Sequence, residues 1–203
     1  MANKKAGLWL AVLGICMLVL SACQSVSPTI EPTPTKSADP FALPRVRGSF
    51  FSTSGECTYC HTGMRDDTGK DVSIDSAWRS SMMANSTRDP YYRASVRSEV
   101  VNNPEHQAVI EKKCSICHIG MAYHTAEQAD ATLAMLPGGG FLDPANEYHA
   151  LAIDGVSCSL CHQITSTNLG KMDSFSGGYD IDLTSSQGTR TAYGLFTVDA
   201  DIA

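Results

Sequence analysis

Three times in 203 residues this chain carries the pentapeptide Cys-x-x-Cys-His: Cys57-Thr-Tyr-Cys60-His61, Cys114-Ser-Ile-Cys117-His118 and Cys158-Ser-Leu-Cys161-His162. Two thiols at this spacing can add across the two vinyl groups of one haem. The histidine that follows is then placed to give an axial nitrogen to the iron. Cys57, Cys60, Cys114, Cys117, Cys158 and Cys161 are therefore the candidate covalent anchors, and His61, His118 and His162 the candidate proximal ligands. The three copies use six of the eight cysteines and three of the six histidines. A single copy arises by chance; three point to one-electron chemistry on three or more haem c groups.

Paired cysteines also bind zinc or close disulfides. Zinc takes two such pairs per ion, which three pairs do not supply evenly, and it does not ask for a histidine after each pair. Redox-active disulfides of this spacing sit in thioredoxin-like folds, and no strand–helix alternation is present here. The glycines 138 to 140 lack the lysine and strand context of a phosphate loop. Ser, His and Asp are scattered without a local hydrolase signature.

An iron with a proximal histidine has a sixth position. His106, His124 and His149 remain for it, as many as there are motifs. Methionine is the other donor, and it raises the potential of a haem relative to histidine. Met82 and Met83 follow Trp78 on one helical stretch, where core packing is the alternative use of a flexible thioether. Met64 and Met121 each lie three residues after a proximal histidine. That is too near to cross to the opposite face of the same haem, so a ring edge or a neighbouring haem is their place.

The elements that must position these groups read as short helices. Apolar spacing predicts one from Asp71 to Ser86. Asp89 as N-cap and Pro90 in the first turn open another through Val101. Asn102-Asn103 ends it, and a third segment from Pro104 carries Glu105 to Cys117 into the second motif. Thr125 to Gln128 has near capping-box spacing and opens a helix through Leu136, stopped by Pro137 and three glycines. A short helix from Pro144 to Ala152 precedes the Asp154-Gly155 turn and the third motif. Beyond Thr165 the pattern becomes loops with a short strand or two. The fold class expected is mainly α with much irregular chain, organised around covalent haems that replace large aromatic side chains in the core. The motifs begin 57 and then 44 residues apart, so they do not form a fixed-period repeat.

Residues 1–22 have the form of a secretory signal: Lys4 and Lys5, an apolar run from Leu8 to Leu20, then small residues. The run is shorter than the ~20 residues of a membrane-spanning helix. Leu20-Ser21-Ala22-Cys23 also has the form of a lipobox, which makes Cys23 the candidate lipidation site; an ordinary cysteine beside a signal peptide is the alternative. Residues 23–44 are rich in proline and hydroxyl side chains and form a tether, able to hold the domain up to roughly 65 Å from its anchor in extended form. Removing the leader takes Lys4 and Lys5 from 15 basic residues, leaving 13 against 21 acidic ones, a net of −8. Such a surface disfavours nucleic acid and anionic lipid and suits basic redox partner proteins. Residues 45–203 form one domain. Its last residues, Thr197 to Ala203, carry no closing pattern, and a fragment of a longer cytochrome is expected.

Four stretches together resemble the bacterial multihaem c-type cytochromes: Trp78-Arg-Ser-Ser-Met-Met-Ala-Asn-Ser-Thr-Arg-Asp-Pro-Tyr91; Ile110-Glu-Lys-Lys-Cys-Ser-Ile-Cys-His118; Asp154-Gly-Val-Ser-Cys-Ser-Leu-Cys-His-Gln-Ile164; and Ser174-Phe-Ser-Gly-Gly-Tyr179. The resemblance covers roughly residues 50 to 200. Members carry a Trp-x-x-Ser-x-His stretch whose histidine is a distal ligand; aligned on Trp78 and Ser81, that histidine is Met83 here. The resemblance thus implies Met83 as a distal candidate; the candidates beside it, from the remaining histidines, are His124 and His149, with His106 in reserve. It also implies further haem motifs beyond a segment like Tyr193-Gly-Leu-Phe196. The function expected is electron transfer outside the cytoplasm by a lipid-anchored cytochrome, in the periplasm or at the cell surface. Gln24, in place of aspartate after Cys23, favours the outer membrane. Two alternatives are a subunit of a multihaem oxidoreductase acting on nitrogen or sulfur compounds and a relay subunit of a haem-bearing complex or filament. The first would need cations near an open iron, with Arg65, Arg79, Arg88, Arg93 and Arg97 as its sources.

Overall fold

A computed structural model describes residues 43–183 and 191–195 of the chain. The leader, Cys23 and the tether up to residue 42 lie outside the described residues, as do 184–190 and the last eight. The chain divides into two units, Met1–Phe41 and Ala42–Ala203, and only the second contains described residues.

That unit is helical, with much irregular chain. The described residues contain no strand; three isolated bridges, among them Ile164 with Ile181, are the only sheet-like pairings. The helices are α1 (Ser54–His61), α2 (Ile74–Arg79), α3 (Met82–Asn85), α4 (Pro90–Asn102), α5 (Gln107–His118), α6 (Gly120–Gln128), α7 (His149–Ile153) and α8 (Cys158–Cys161). Single 3₁₀ turns occur at Pro104–His106 and Met172–Ser174.

Helix α4 starts as its sequence dictates. The Asp89 side chain accepts from Tyr91 N and Pro90 fills the first turn. Three other expectations are corrected. The stretch from Asp71 to Ser86 is two helices, because the Ser81 hydroxyl accepts from Ala84 N and starts α3 afresh. The helix expected from Thr125 to Leu136 is α6 instead, which begins directly after the second motif. Thr125 is not its cap: it is buried mid-helix and its hydroxyl donates to Met121 O at 2.7 Å. Helix α6 is buried from Gly120 to Ala126. A helix buried on every side shows no amphipathic stripe, which is why its sequence gave no periodic signal. The short helix expected from Pro144 is likewise shorter, beginning at His149 after a series of turns.

The core lies along α6. Ile119, Met121, Ala122 and Ala126 pack with Phe51, Tyr92, Val96, Met135, Phe141 and Leu160. Gly120 permits close approach of α6 to the third motif, since a Cβ there would stand 2.7 Å from a Leu160 methyl. One buried carboxylate closes the other side. Glu111, 1 % exposed, accepts from Gln107 Nε2 at 2.6 Å, from Leu136 N at 3.2 Å and from Met135 N. It holds the irregular chain after α6 against α5. The glycine run ends in a similar way, for Asp143 accepts from both Gly138 N and Gly139 N. Those amides are engaged within the turn, as suits a structural loop.

Gly155 marks the approach to the third motif. Its φ is +71°, and a Cβ would lie 2.6 Å from Met83 O and 3.0 Å from Ala84 O. Val156 N donates to the same Met83 carbonyl at 3.0 Å. Gly155→Ala is therefore expected to cost about 2 kcal/mol, combining left-handed strain with a backbone clash. Urea unfolding of the two proteins side by side checks this.

Candidate haem-attachment sites

A helix puts positions i, i+3 and i+4 on one face. Each motif makes use of this. The first forms the end of α1, the second the end of α5, and the third is α8 with His162 as its C-cap. Both thiols and the histidine of each motif then project to one side. The three sites share a further asymmetry: Cys57, Cys114 and Cys158 are half-buried, whereas Cys60, Cys117 and Cys161 are exposed. None of the six is paired in a disulfide. Burial raises the pKa of Cys114 above the ordinary thiol value.

The first and third motifs meet. Helices α1 and α8 are in contact, and the two thiols lie near enough for Cys158 to push the Cys57 thiol up and for Cys57 to lower that of Cys158. Two long-range braces bring them together. Ser159 Oγ donates to Ser52 O at 2.6 Å and accepts from Ser52 N at 3.1 Å. Asp154, 1 % exposed, accepts from Ser54 N and Ser54 Oγ, each at 2.6 Å. Beside the two sulfurs lies a cavity of about 470 Å³, lined by His61 and His162 as well as Ile74, Trp78 and Ala192. That volume falls within the ~300–1,000 Å³ range of cofactor and ligand pockets. Trp78 is fixed at the rim by its Nε1, which donates to Val156 O at 3.0 Å.

The second motif stands against other elements. Ser86 Oγ and Thr87 Oγ1 both donate to His118 O, at 2.9 and 2.6 Å. The His118 ring stacks on Tyr92, centroids 3.8 Å apart and planes 6° from parallel. Its Nδ1 faces Ser86 O at 3.2 Å. His162 Nδ1 faces Tyr193 O at 2.7 Å, and Tyr193 N donates back to His162 O at 2.7 Å. His149 Nδ1 faces Phe141 O at 3.0 Å. A carbonyl opposite Nδ1 fixes the proton there and leaves Nε2 as the lone-pair nitrogen, the arrangement found in metal-ligating histidines. Three of the six histidines are set in this way.

His124 carries a different mark. It is 9 % exposed, and its Nε2 is buried without a hydrogen-bond partner. Burial lowers its pKa, with Glu127 pulling the other way. A neutral imidazole with an unpartnered buried nitrogen suits an absent electrophile. These features fit haem: histidines with free Nε2, paired thiols on one helical face and a cavity beside two of the pairs.

The remaining candidates are less constrained. Met83 is 51 % exposed on α3, one turn before the Ser86–Thr87 clamp on His118. Met121 is fully buried, its sulfur 3.3 Å from Ser159 Oγ, and Met64 is 41 % exposed. His106 is exposed and faces only Glu105, at 3.7 Å. His124→Ala is expected to turn one haem high-spin while His106→Ala leaves the spectrum unchanged; electron paramagnetic resonance of the haem-loaded variants separates the two. Among the described residues no three His, Cys, Asp or Glu side chains gather as a site for a bare metal ion, and no helix is long and apolar enough to cross a membrane.

Several supporting residues carried no local signal. Tyr92, the Ser86–Thr87 pair, the Ser54–Asp154 brace and Tyr193 O reach their histidines or helices from 26 to 100 residues away or across loops, where no short motif marks them. No family model, curated protein or solved structure matches this chain.

Proposed function

We propose that this chain is an electron-transfer protein of multihaem cytochrome c type, carrying haem c at Cys57/Cys60, Cys114/Cys117 and Cys158/Cys161. The observation that carries the reading is the threefold recurrence of one arrangement: a half-buried thiol, an exposed thiol and a histidine on one helical face. Haem supplies a one-electron couple whose potential depends on axial ligands and burial. The chain's own residues anchor, orient and shield. Ser86 O, Tyr193 O and Phe141 O orient His118, His162 and His149 through Nδ1. His61, His118 and His162 serve as proximal ligands, and His124, His149 and Met83 as distal ones.

A carrier role is favoured over reduction of an oxyanion by where the cations are. Arg65 donates to Gly69 O, Arg88 to Ala84 O and Arg93 to Thr87 O, while Arg79 pairs with Asp75 at 2.9 Å. These guanidiniums brace local chain. In this reading the leader and Cys23 place the protein outside the cytoplasm on a lipid anchor, and residues 23–44 let it reach basic redox partners or a larger haem-protein assembly.

Low-temperature electron paramagnetic resonance of the haem-loaded full chain tests the carrier role. All haems low-spin, with no change on adding carbon monoxide or nitrite, is the expected result. A high-spin haem that binds either ligand would transfer the reading to a catalytic oxidoreductase.

A further inference from the structure

Resting on that reading, we infer that the haems of the first and third motifs form a close pair, with Cys57 and Cys158 as abutting anchors, while the haem of the second motif stands apart. The chain order gives no hint of this, since the two motifs begin 101 residues apart and the second lies between them.

The warrant is the packing of α1 against α8, which brings the two anchors to one cavity. A thioether forms when a thiol adds across a vinyl double bond, sulfur to one carbon and hydrogen to the other. Nothing leaves, and no outside oxidant or reductant is consumed. Each sulfur therefore ends one carbon from its porphyrin's edge. Cys57 and Cys158 stand beside one cavity, on helices α1 and α8 that touch, so two haems attached there meet edge to edge. The shared cavity agrees. His61 and His162 both line it, whereas none of Cys114, Cys117 and His118 does. The cavity, about 470 Å³, thus lies between the first and third motifs.

The contact is braced at two levels, by Ser52 with Ser159 and by Ser54 with Asp154. Buried hydrogen bonds of this kind hold a geometry that loose helix ends would not. The second motif has its own surroundings, the Tyr92 ring and the Ser86–Thr87 turn. Electrons would equilibrate fastest within the pair, and the second haem would serve as a separate entry or exit.

Two porphyrins in close contact couple their Soret transitions and give a bisignate band in circular dichroism; an isolated haem does not. The test is the Soret circular dichroism of the haem-loaded full chain beside three double variants, C57A/C60A, C114A/C117A and C158A/C161A, with haem content counted in each. The expected result is a couplet in the wild type, retained in C114A/C117A and lost in the other two. A wild type without a couplet, or a couplet lost in C114A/C117A and kept in the others, overturns the pairing. The haem count separates the two claims: three haems without a couplet refute the pairing alone, and a chain without haem refutes the functional reading beneath it. Where a double variant does not accumulate, the single variants C57A and C158A each keep one thioether and the histidine. The couplet then weakens in both and holds in C114A; equal couplets in all three overturn the pairing.

Discussion

Replacing His118 by alanine is expected to convert one haem of the three to a high-spin form that binds carbon monoxide, without releasing it from the protein. The residue is held at three points. Ser86 O faces Nδ1 at 3.2 Å, Tyr92 covers one face at 3.8 Å, and the backbone carbonyl of His118 accepts from Ser86 Oγ and Thr87 Oγ1. A ring fixed in this way presents Nε2 in one direction only, which is how an outer shell orients a ligand. Alanine removes the nitrogen and leaves Cys114 and Cys117, so attachment persists while coordination is lost. Thr87→Val is the comparison. It deletes one buried hydrogen bond to the carbonyl, costs about 1 kcal/mol and leaves the spin state unchanged. Resonance spectra and carbon monoxide difference spectra of the three proteins check both statements. An unaltered spectrum in the alanine variant would remove His118 from the ligand set.

Asp154→Ala is expected to lower stability by about 3 kcal/mol, because Ser54 N and Ser54 Oγ both lose their acceptor in a site closed to water. The effect reaches the haem sites directly, since this carboxylate ties the first turn of α1 to the turn before α8. Its pH dependence has a definite sign. Burial raises the folded-state pKa of Asp154 above 3.8, against the hydrogen bonds from Ser54 that lower it. A raised pKa means that the folded state holds the proton more tightly. The associated stability is fully present below 3.8 and is lost as pH climbs through the raised value. Wild type should therefore lose stability relative to Asp154→Asn between acid and neutral pH. Urea midpoints at several pH values read the difference; a gap that is flat, or that widens in favour of wild type as pH rises, contradicts the account.

What the sequence made legible was local. The Cys-x-x-Cys-His spacing already puts three groups on one helical face, and the Asp89-Pro90 start of α4 stands where its residues put it. The mainly α class with much irregular chain also agrees with the described residues. What failed was a matter of burial. Thr125 looked like a cap, yet it lies inside a helix that is covered on all sides, and such a helix has no periodic face to read. The Ser81 cap that divides α2 from α3 was hidden inside a continuous apolar pattern. The candidate sites divide in the same way. Each motif is a local word, but the meeting of the first motif with the third, and of His118 with Tyr92, comes from tertiary packing alone. Among the histidines, composition treated His106, His124 and His149 alike. Burial distinguishes them: His124 has an orphaned nitrogen, His149 an oriented one, and His106 lies in solvent.

The central claim is that three motifs hold three haems. The direct measurement is the haem-to-protein ratio of the purified full chain, produced in cells that attach haem c. Denaturation and conversion to the pyridine haemochrome give the haem, and amino-acid analysis gives the protein. Three haems per chain are expected, all retained after acid–acetone extraction because they are covalent. A chain with none, or one from which the haem extracts freely, would contradict it.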